Sequence, residues 1–313
     1  MRIAVFGAGG AGGYYGGRLA QAGNPVVFIA RGDHLEAIRA HGLQVESVAG
    51  DFGVQPADAT DDPAEAGPVE LVVLGVKSWQ VPEAAEAMRP LIGRDTLVLP
   101  LQNGVEAAGQ LAAALGEEHV LAGLAYIFSF LTRPGHIRHI GGPASIVFGE
   151  LDGRVRRRTR RLLAVLRAAG IQAEIAPDIQ AALWQKMVFV AALGGLGAVT
   201  RAPLGVLRTL PETRAMLVEA MAEIAEVARG RGVRLAAGAV QAALEVAERQ
   251  PADATSSLQR DIGAGRPSEL DYWTGAVVRL GTAAGVPTPL NNFFYHSLRP
   301  LELRARGELT FAG

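Results

Sequence analysis

The chain has no cysteine among its 313 residues. Disulfide bonds, thiolate nucleophiles and cysteine-held iron–sulfur clusters are therefore excluded, and a reducing compartment is compatible with the sequence. The first residues, "MRIAVF", enter a strand-like run without the basic, apolar and small-residue regions of a secretory signal peptide. We expect a cytoplasmic protein.

The chain also lacks an excess of charge of either sign, with a formal net charge of -1 and a pI near 6.6. Without a basic field to attract phosphate backbones, nucleic acid is not an expected partner. The one basic cluster, "GRVRRRTRRLL", is interleaved with Leu162, Leu163, Val165 and Leu166, a pattern typical of a helix with a solvated face.

Long apolar runs are missing as well. The longest spans residues 187–199, contains three glycines and is shorter than the roughly 20 residues that a membrane-spanning helix needs. A buried helix is the better interpretation, and we expect no membrane association.

The first half of the sequence alternates apolar runs with helix-like segments. The runs "RIAVF", "PVVFIA", "LVVLGV" and "TLVLP" predict buried strands, and the segments between them are rich in Ala, Leu and Glu. This succession predicts βαβ units and a parallel sheet. The stretch "GLQVESVAGDFGVQP" predicts an inserted hairpin, and "HVLAGLAYIF", "GHIRHIGG" and "ASIVFGEL" predict three further strands.

After about residue 175 the patterns become helical, with predicted helices at 180–200, 213–231, 237–249 and 270–284. The segment "QPADATSSLQRDIGAGRPSELDY" interrupts them and predicts a functional loop or a helix start. We therefore predict two domains, a Rossmann-like α/β domain over residues 1–175 and an all-helical domain over 176–313 that carries substrate and catalytic residues.

A glycine motif follows the first predicted strand. Gly7, Gly9 and Gly12 form GxGxxG, with Ala8, Gly10 and Ala11 completing the loop before a predicted helix. In this setting the glycines permit a tight turn, close approach to a pyrophosphate and close helix packing. The loop predicts dinucleotide binding.

Arg31 stands at the end of the second predicted strand, where an NAD-selective site has an acid that binds the ribose hydroxyls. A guanidinium can bind a 2′-phosphate through paired charge-assisted hydrogen bonds, each worth roughly 1.5–3 kcal/mol. The sequence therefore predicts NADP(H). An exposed loop arginine is the alternative, and the nearby Asp33 leaves dual specificity open.

Four motifs, "GVKSWQ", "PLQNGVE", "WQKMVF" and "SSLQRDIGAGRPSELDY", occur in an order that resembles ketopantoate reductases (2-dehydropantoate 2-reductases) over essentially the whole chain. The resemblance implies a Rossmann domain, a helical domain and an active site between them. It also implies NADPH-dependent reduction of 2-dehydropantoate to pantoate, in pantothenate biosynthesis.

The resemblance assigns roles to individual residues. Lys186 is implied as the general acid, Glu269 as the acid beside the cofactor and that lysine, and Asn103 and Ser257 as substrate contacts with Asn103 also near the cofactor. Lys77, Ser129 and Arg31 are implied as further cofactor contacts. A cleft ammonium suits the chemistry because burial lowers its pKa toward working pH while a neighbouring carboxylate raises it.

Structural explanations of the same residues stay open. Lys186 could cover apolar neighbours with its stem, Ser257 could be a helix N-cap, and Glu269 could place negative charge at a helix start. His136 and His139 are close in sequence, but strand alternation directs them to opposite faces, and we expect no metal.

Two positions depart from the family pattern. Val190 and Gly194 stand four and eight residues after Lys186, where the family's pantoate-forming members have asparagines. Losing amide partners for buried substrate oxygens costs roughly 1–3 kcal/mol each unless Asn291, Asn292 or water compensates. Another 2-keto acid, an opine-type substrate, or a non-catalytic NADP(H) sensor therefore remain alternatives. The apolar helical half is compatible with a homodimer, whose interface no sequence feature fixes.

Overall fold

The computed structural model describes residues 1–311, and the chain folds into two compact units, Met1–Ile179 and Gln180–Gly313. Strands are confined to the first unit, and every element described in the second is helical. The α/β class with a helical C-terminal part is therefore confirmed.

The main sheet of the first unit is parallel throughout, with strand order β5-β2-β1-β6-β7. Its central strands are buried apolar runs apart from Glu70 in β6, as expected for a sheet covered on both faces. The strands are β1 (Ile3–Phe6), β2 (Val26–Ile29), β5 (Asp58–Thr60), β6 (Val69–Leu74) and β7 (Ile92–Pro100).

A second sheet in the same unit contains the predicted hairpin. β3 and β4 pair antiparallel, β3 and β10 pair parallel with β9, and β8 pairs antiparallel with β9. The hairpin prediction is confirmed, but the runs "GHIRHIGG" and "ASIVFGEL" form one strand rather than two. The bounds are β3 (Leu43–Ser47), β4 (Phe52–Val54), β8 (Leu121–Arg133), β9 (His136–Glu150) and β10 (Gln172–Ile175).

The helices of the first unit follow the strands as the pattern predicts, and the basic cluster lies on one of them. They are α1 (Gly10–Gln21), α2 (Gly32–His41), α3 (Pro63–Ala66), α4 (Val81–Ala87), α5 (Ala107–Leu115) and α6 (Arg157–Ala168). On α6, Leu162 and Leu166 are fully buried while most of the arginines are exposed, so the solvated-face interpretation of this cluster is confirmed.

The second unit contains more helices than the sequence patterns predicted. They are α7 (Ile179–Thr200, which begins at the boundary), α8 (Leu204–Thr209), α9 (Pro211–Gly230), α10 (Ala239–Arg249), α11 (Ser257–Gly263), α12 (Thr274–Ala284) and α13 (Pro289–Ala305). The prediction missed α8 and α13, and α11 shows that the interrupting segment does start a helix. A short 3-10 helix, Leu270–Tyr272, precedes α12.

Helix α7 is long and apolar, and Lys186 is its one charged residue. Among the described residues it is the one helix that could cross a membrane by length and composition, but 67% of its most apolar window is buried inside the fold. Gly194 and Gly195 let neighbours approach closely: a Cβ on Gly194 would lie 2.8 Å from Cε3 of Trp273, and one on Gly195 would lie 2.7 Å from Cδ2 of Phe294.

Gly194→Ala is expected to lower the free energy of unfolding by about 1–3 kcal/mol, because the Trp273 ring is buried and overpacking strains such contacts. The matched control is Gly109→Ala on α5, where a Cβ would meet nothing within 4 Å. That substitution should be neutral or stabilise by about 0.5–1 kcal/mol. Chemical denaturation measures both, and equal effects would contradict the packing described for Trp273.

Candidate active site

The glycine loop joins β1 to α1 and is shaped by close backbone packing. Gly7 has φ +93°, a conformation that favours glycine, and a Cβ on it would lie 2.7 Å from Cγ1 of Val76. A Cβ on Gly12 would lie 2.1 Å from the carbonyl oxygen of Gly7. The fold itself therefore requires glycine at these two positions. This agrees with the prediction that the motif's glycines permit a tight turn and close helix packing.

Gly9 differs from its neighbours. Its φ of -70° suits any residue, and a Cβ added to it would meet no protein atom within 4 Å. It directly precedes the first residue of α1, where backbone N–H groups of a helix attract phosphate. Internal packing does not explain a glycine here, whereas a pyrophosphate that must approach the backbone does.

Strand β8 approaches the same loop. A Cβ on Gly10 would lie 2.5 Å from the carbonyl oxygen of Ser129, so glycine is needed for this approach. Ser129 Oγ and Gln102 Oε1 are buried without a hydrogen-bond partner among the described residues. Buried polar atoms normally have a hydrogen-bond partner, so these two oxygens are available to hydrogen-bond a polar ligand.

Arg31 follows β2 and is exposed, with its guanidinium 3.4 Å from the carboxylate of Glu83. Both side chains are about two-thirds exposed, and such pairs contribute only about 0–1 kcal/mol, so a phosphate can replace Glu83. His34 fixes the start of α2 beside the glycine loop: its Nδ1 accepts the Gly135 N–H at 3.0 Å, and its Nε2 therefore donates to the Ala8 carbonyl at 2.8 Å. This role of His34 was not predicted from the sequence.

Lys77 and Asn103 follow the adjacent strands β6 and β7, at the edge of a parallel sheet where ligands bind. Ser78 Oγ donates to the Asn103 carbonyl at 3.1 Å, and Lys77 Nζ lies 5.8 Å from the centre of the Trp79 ring. The two strand ends are joined by Gln102, whose Nε2 donates to the carbonyls of Leu74 and Val76 at 3.0 and 2.9 Å. Gln102 precedes Asn103 in "QNG" and was also missed.

Lys186 and Glu269 interact electrostatically in the second unit. Glu269 is buried and precedes the 3-10 helix, while Lys186 is partly buried on α7. Burial lowers the pKa of Lys186 to about 8, and the Glu269 carboxylate acts against this by raising it. An amine with such a pKa is protonated at neutral pH and can release its proton near it, which suits a general acid.

The lysines of this chain are few. Of 30 basic residues only Lys77 and Lys186 are lysine, and all others are arginine. Arginine remains charged in proteins, whereas lysine can exchange its proton when burial lowers its pKa. This count is a signal that the sequence analysis did not use.

Ser257 is the first residue of α11. The neighbouring Ser256, not Ser257, caps this helix by accepting the Gln259 N–H at 3.0 Å, so the N-cap explanation for Ser257 is wrong. Glu269 does occupy the N-cap position of its 3-10 helix. It therefore places negative charge at a helix start, in addition to its electrostatic effect on Lys186.

The surroundings of Gly194 are apolar. The Trp273 ring lies against Gly194, and Cδ2 of Leu258 would be 3.0 Å from a Cβ there. Asn291 does not replace the missing amides, because its Nδ2 donates to Glu223 at 2.7 Å and to the Ala220 carbonyl at 3.2 Å. Trp184 and Trp273 are both buried, as expected of side chains that pack inside the helical unit.

Within residues 1–311 no group of three or more His, Cys, Asp or Glu side chains could hold a metal ion. Both ring nitrogens of His139 form hydrogen bonds within the second sheet. Nδ1 lies 2.8 Å from Ser47 Oγ, and Nε2 lies 2.9 Å from the Gly141 carbonyl oxygen.

Gly9→Ala is expected to weaken NADPH binding at least tenfold, since its methyl group would occupy the open face of the loop, while unfolding free energy changes by less than about 1 kcal/mol. Fluorescence titration and chemical denaturation measure the two quantities. The matched control, Gly12→Ala, should instead destabilise the fold, because its Cβ would collide with the Gly7 carbonyl. Unchanged NADPH affinity in Gly9→Ala would exclude this loop as the pyrophosphate site.

Comparisons with known proteins agree with this arrangement. The family model "Ketopantoate reductase PanE/ApbA" matches residues 3–153, and the model of the C-terminal part of that family matches residues 178–302. A 2-dehydropantoate 2-reductase from Mesorhizobium japonicum is 31% identical, with 92% of this chain and 94% of that protein covered.

Two solved structures resemble the chain closely. The PanE/ApbA family ketopantoate reductase from Ralstonia eutropha JMP134 has a TM-score of 0.90 and 36% identity, with 98% of this chain and 100% of that chain covered. A D-mandelate dehydrogenase solved with NADH and anilino(oxo)acetate has a TM-score of 0.89 and 25% identity, with the same coverage. The chain therefore belongs to the ketopantoate reductase family, and is an oxidoreductase that uses a nicotinamide dinucleotide.

Proposed function

We propose that this protein uses NADPH to reduce the C2 ketone of a 2-keto acid, with 2-dehydropantoate as the leading substrate and pantoate as the product. The observation that carries the proposal is Lys186, the one charged residue of α7, whose pKa is lowered to about 8 by burial. We further propose that residues 1–175 bind the dinucleotide and that residues 176–313 supply the proton donor and substrate contacts.

Reduction of a ketone leaves negative charge on its oxygen, which a nearby donor must stabilise. Lys186 Nζ donates a hydrogen bond to that oxygen and then transfers its proton. Glu269 keeps the ammonium protonated and oriented before transfer, because its negative charge favours the charged form of the lysine. The reduced nicotinamide supplies the hydride when it is bound.

The remaining site residues bind and orient the cofactor and the substrate. Asn103 and Lys77, at adjacent strand ends, contact the cofactor, and the Asn103 amide also contacts the substrate. Ser257, at the start of α11, donates a hydrogen bond from its hydroxyl to the substrate. Gly7, Gly9 and Gly12 receive the pyrophosphate, with Ser129 on the approaching strand beside them.

NADP(H) is the proposed cofactor because Arg31, rather than an acid, follows β2. Its guanidinium forms an exposed ion pair with Glu83 and can turn to a 2′-phosphate at small cost. Asp33 is exposed in the first turn of α2, so weaker use of NADH is compatible with this assignment.

A second candidate substrate is supported by the apolar face of α7. Val190 and Gly194 provide no amide donors, and Gly194 is covered by the Trp273 ring. A 2-keto acid with an aromatic or branched apolar side chain fits this face better than a hydroxylated one, since it leaves no buried hydroxyl unpaired. The similarity to a D-mandelate dehydrogenase supports this candidate.

A panel of 2-keto acids tests the function directly, with NADPH oxidation followed by absorbance. We expect turnover on 2-dehydropantoate, on an aromatic or branched 2-keto acid, or on both, and the ratio of kcat/KM decides between the two candidates. NADPH binding without turnover on any 2-keto acid would contradict the reductase function and favour a sensor.

Lys186→Ala is expected to lower kcat at least a hundredfold and leave NADPH affinity nearly unchanged, since general acid catalysis contributes roughly 10²–10⁴-fold. In the unaltered protein, the reduction rate should be constant below pH 8 and fall about tenfold per pH unit above it, as Lys186 loses its proton. Single-turnover kinetics measures both, and a loss below about tenfold in the variant would refute the role.

Arg31→Ala is expected to weaken NADPH binding roughly 10- to 100-fold and leave NADH binding unchanged, because only the 2′-phosphate needs the guanidinium. Glu83→Gln is the matched control: it releases Arg31 from its carboxylate partner and should bind NADPH at least as tightly as the unaltered protein. Equal losses for NADPH and NADH in Arg31→Ala would show a structural effect.

A further inference from the structure

Glu269 lies in a segment that local structure does not hold firmly. It follows the irregular stretch from Gly265 to Ser268 and precedes a 3-10 helix of three residues, Leu270–Tyr272. Its own carbonyl accepts the N–H groups of Tyr272 and Trp273, which orders the chain after it. Before it, Arg266 donates its N–H to the Asp261 carbonyl at 2.9 Å, and the contacts of Ser268, the residue next to Glu269, come from another element.

That element is α13, through Glu302. This carboxylate is buried, and it accepts the Ser268 N–H with both oxygens, at 3.1 and 3.0 Å. It also accepts the Ser268 hydroxyl, whose oxygen in turn accepts the Leu270 N–H at 3.3 Å. The residues on both sides of Glu269 are thus tied to one carboxylate.

Arg306 completes the arrangement. Its Nε donates to Glu302 Oε1 at 2.7 Å, and its Nη2 donates to the Ser268 carbonyl at 3.1 Å. The N–H, hydroxyl and carbonyl of Ser268 are therefore all bound by Glu302 and Arg306. A buried carboxylate with this many partners holds its geometry, and breaking it leaves buried groups unpaired.

Asp271, inside the 3-10 helix, makes a second contact with α13, and this contact is more exposed than that of Glu302. Asp271 Oδ1 accepts the Tyr295 hydroxyl at 2.8 Å and Arg299 Nη1 at 2.5 Å, and the Asp271 carbonyl accepts Arg279 at 2.8 Å. Among the described residues, the charged groups around the Glu269 segment include Glu302 and Arg306 on one side and Asp271, Arg279 and Arg299 on the other. The Arg266–Asp261 ion pair lies before it in the chain.

We propose that Glu302 is a positioning residue, which holds the Glu269 carboxylate opposite Lys186 by fixing the backbone of Ser268. The inference rests on the proposed role of Lys186 as proton donor, but the positioning can be measured without a substrate. When Glu302 is changed, the Glu269 charge moves away from the ammonium, and Lys186 releases its proton at lower pH.

The experiment uses the full chain labelled with ¹³C at the ε-carbon of lysine. The sequence has two lysines, so the spectrum has two side-chain signals, and Lys77→Arg assigns them. In Glu302→Gln we expect the titration midpoint of Lys186 to fall by about 0.5–1 pH unit, because a favourable charge has been displaced. The high-pH limb of kcat should move by the same amount.

Glu223→Gln is the matched control. Glu223 is also a buried carboxylate bound to α13, where it accepts the N–H groups of Leu290 and Asn291 at 2.8 and 2.9 Å. These residues lie about 17–18 Å along the helix from Glu302, at 1.5 Å per residue. This variant loosens the same helix without touching Ser268, so the Lys186 midpoint should stay unchanged.

Ser268→Ala provides a second test if Glu302→Gln does not fold. It removes only the hydroxyl and leaves the two bonds from the Ser268 N–H, so a smaller shift of Lys186 in the same direction is expected. An unchanged midpoint in the folded variant, or an equal shift in Glu223→Gln, would overturn the positioning role. Failure of every 2-keto acid to react would instead refute the reductase while leaving this titration result standing.

Discussion

The account depends on one electrostatic constraint, a single ammonium on an otherwise uncharged apolar helix. Helix α7 buries most of its length, and removing Lys186 from water lowers the pKa of this amine toward neutrality. The carboxylate of Glu269 limits the fall, so that the ammonium is retained at neutral pH and its proton remains available. Neither group alone would give this balance, since burial without Glu269 favours a neutral amine and Glu269 without burial favours an ordinary lysine. The use of arginine for every other cation except Lys77 fits the same logic, because arginine does not exchange its proton.

Much of the first unit could be predicted from the sequence because its signals are local. Buried parallel strands require continuous apolar runs, so "RIAVF" and "LVVLGV" mark β1 and β6 directly. The glycine motif could be located because Gly7 and Gly12 are required by packing within a few residues of the turn. The hairpin of β3 and β4 was equally clear from two alternating runs around a polar turn.

The parts that could not be predicted depend on contacts distant in sequence. Helix α13 starts at Pro289, directly after a stretch with Gly285 and Pro287, and it contains Pro300. Proline is typical of a helix break, so this pattern does not indicate a helix of 17 residues. Glu302 therefore resembled an ordinary surface acid in the sequence. It is 34 positions from Ser268, and only the fold shows that the two residues are hydrogen-bonded. The N-cap alternative for Ser257 was wrong by one residue for a similar reason, since Ser256 and Ser257 are equivalent in sequence and only backbone geometry separates them. Gly194 also has no local signal for the Trp273 ring that covers it.

The most direct test is the absolute proton affinity of Lys186 in the unaltered protein, titrated from pH 6 to 11 by the ¹³Cε signal. The account predicts a midpoint near 8, with a further fall in Glu269→Gln, because that variant removes the charge that raises the pKa. A midpoint near the ordinary lysine value of about 10.4, unchanged by Glu269→Gln, would contradict it. Such a result would leave Lys186 without the lowered pKa on which its proposed role as proton donor depends.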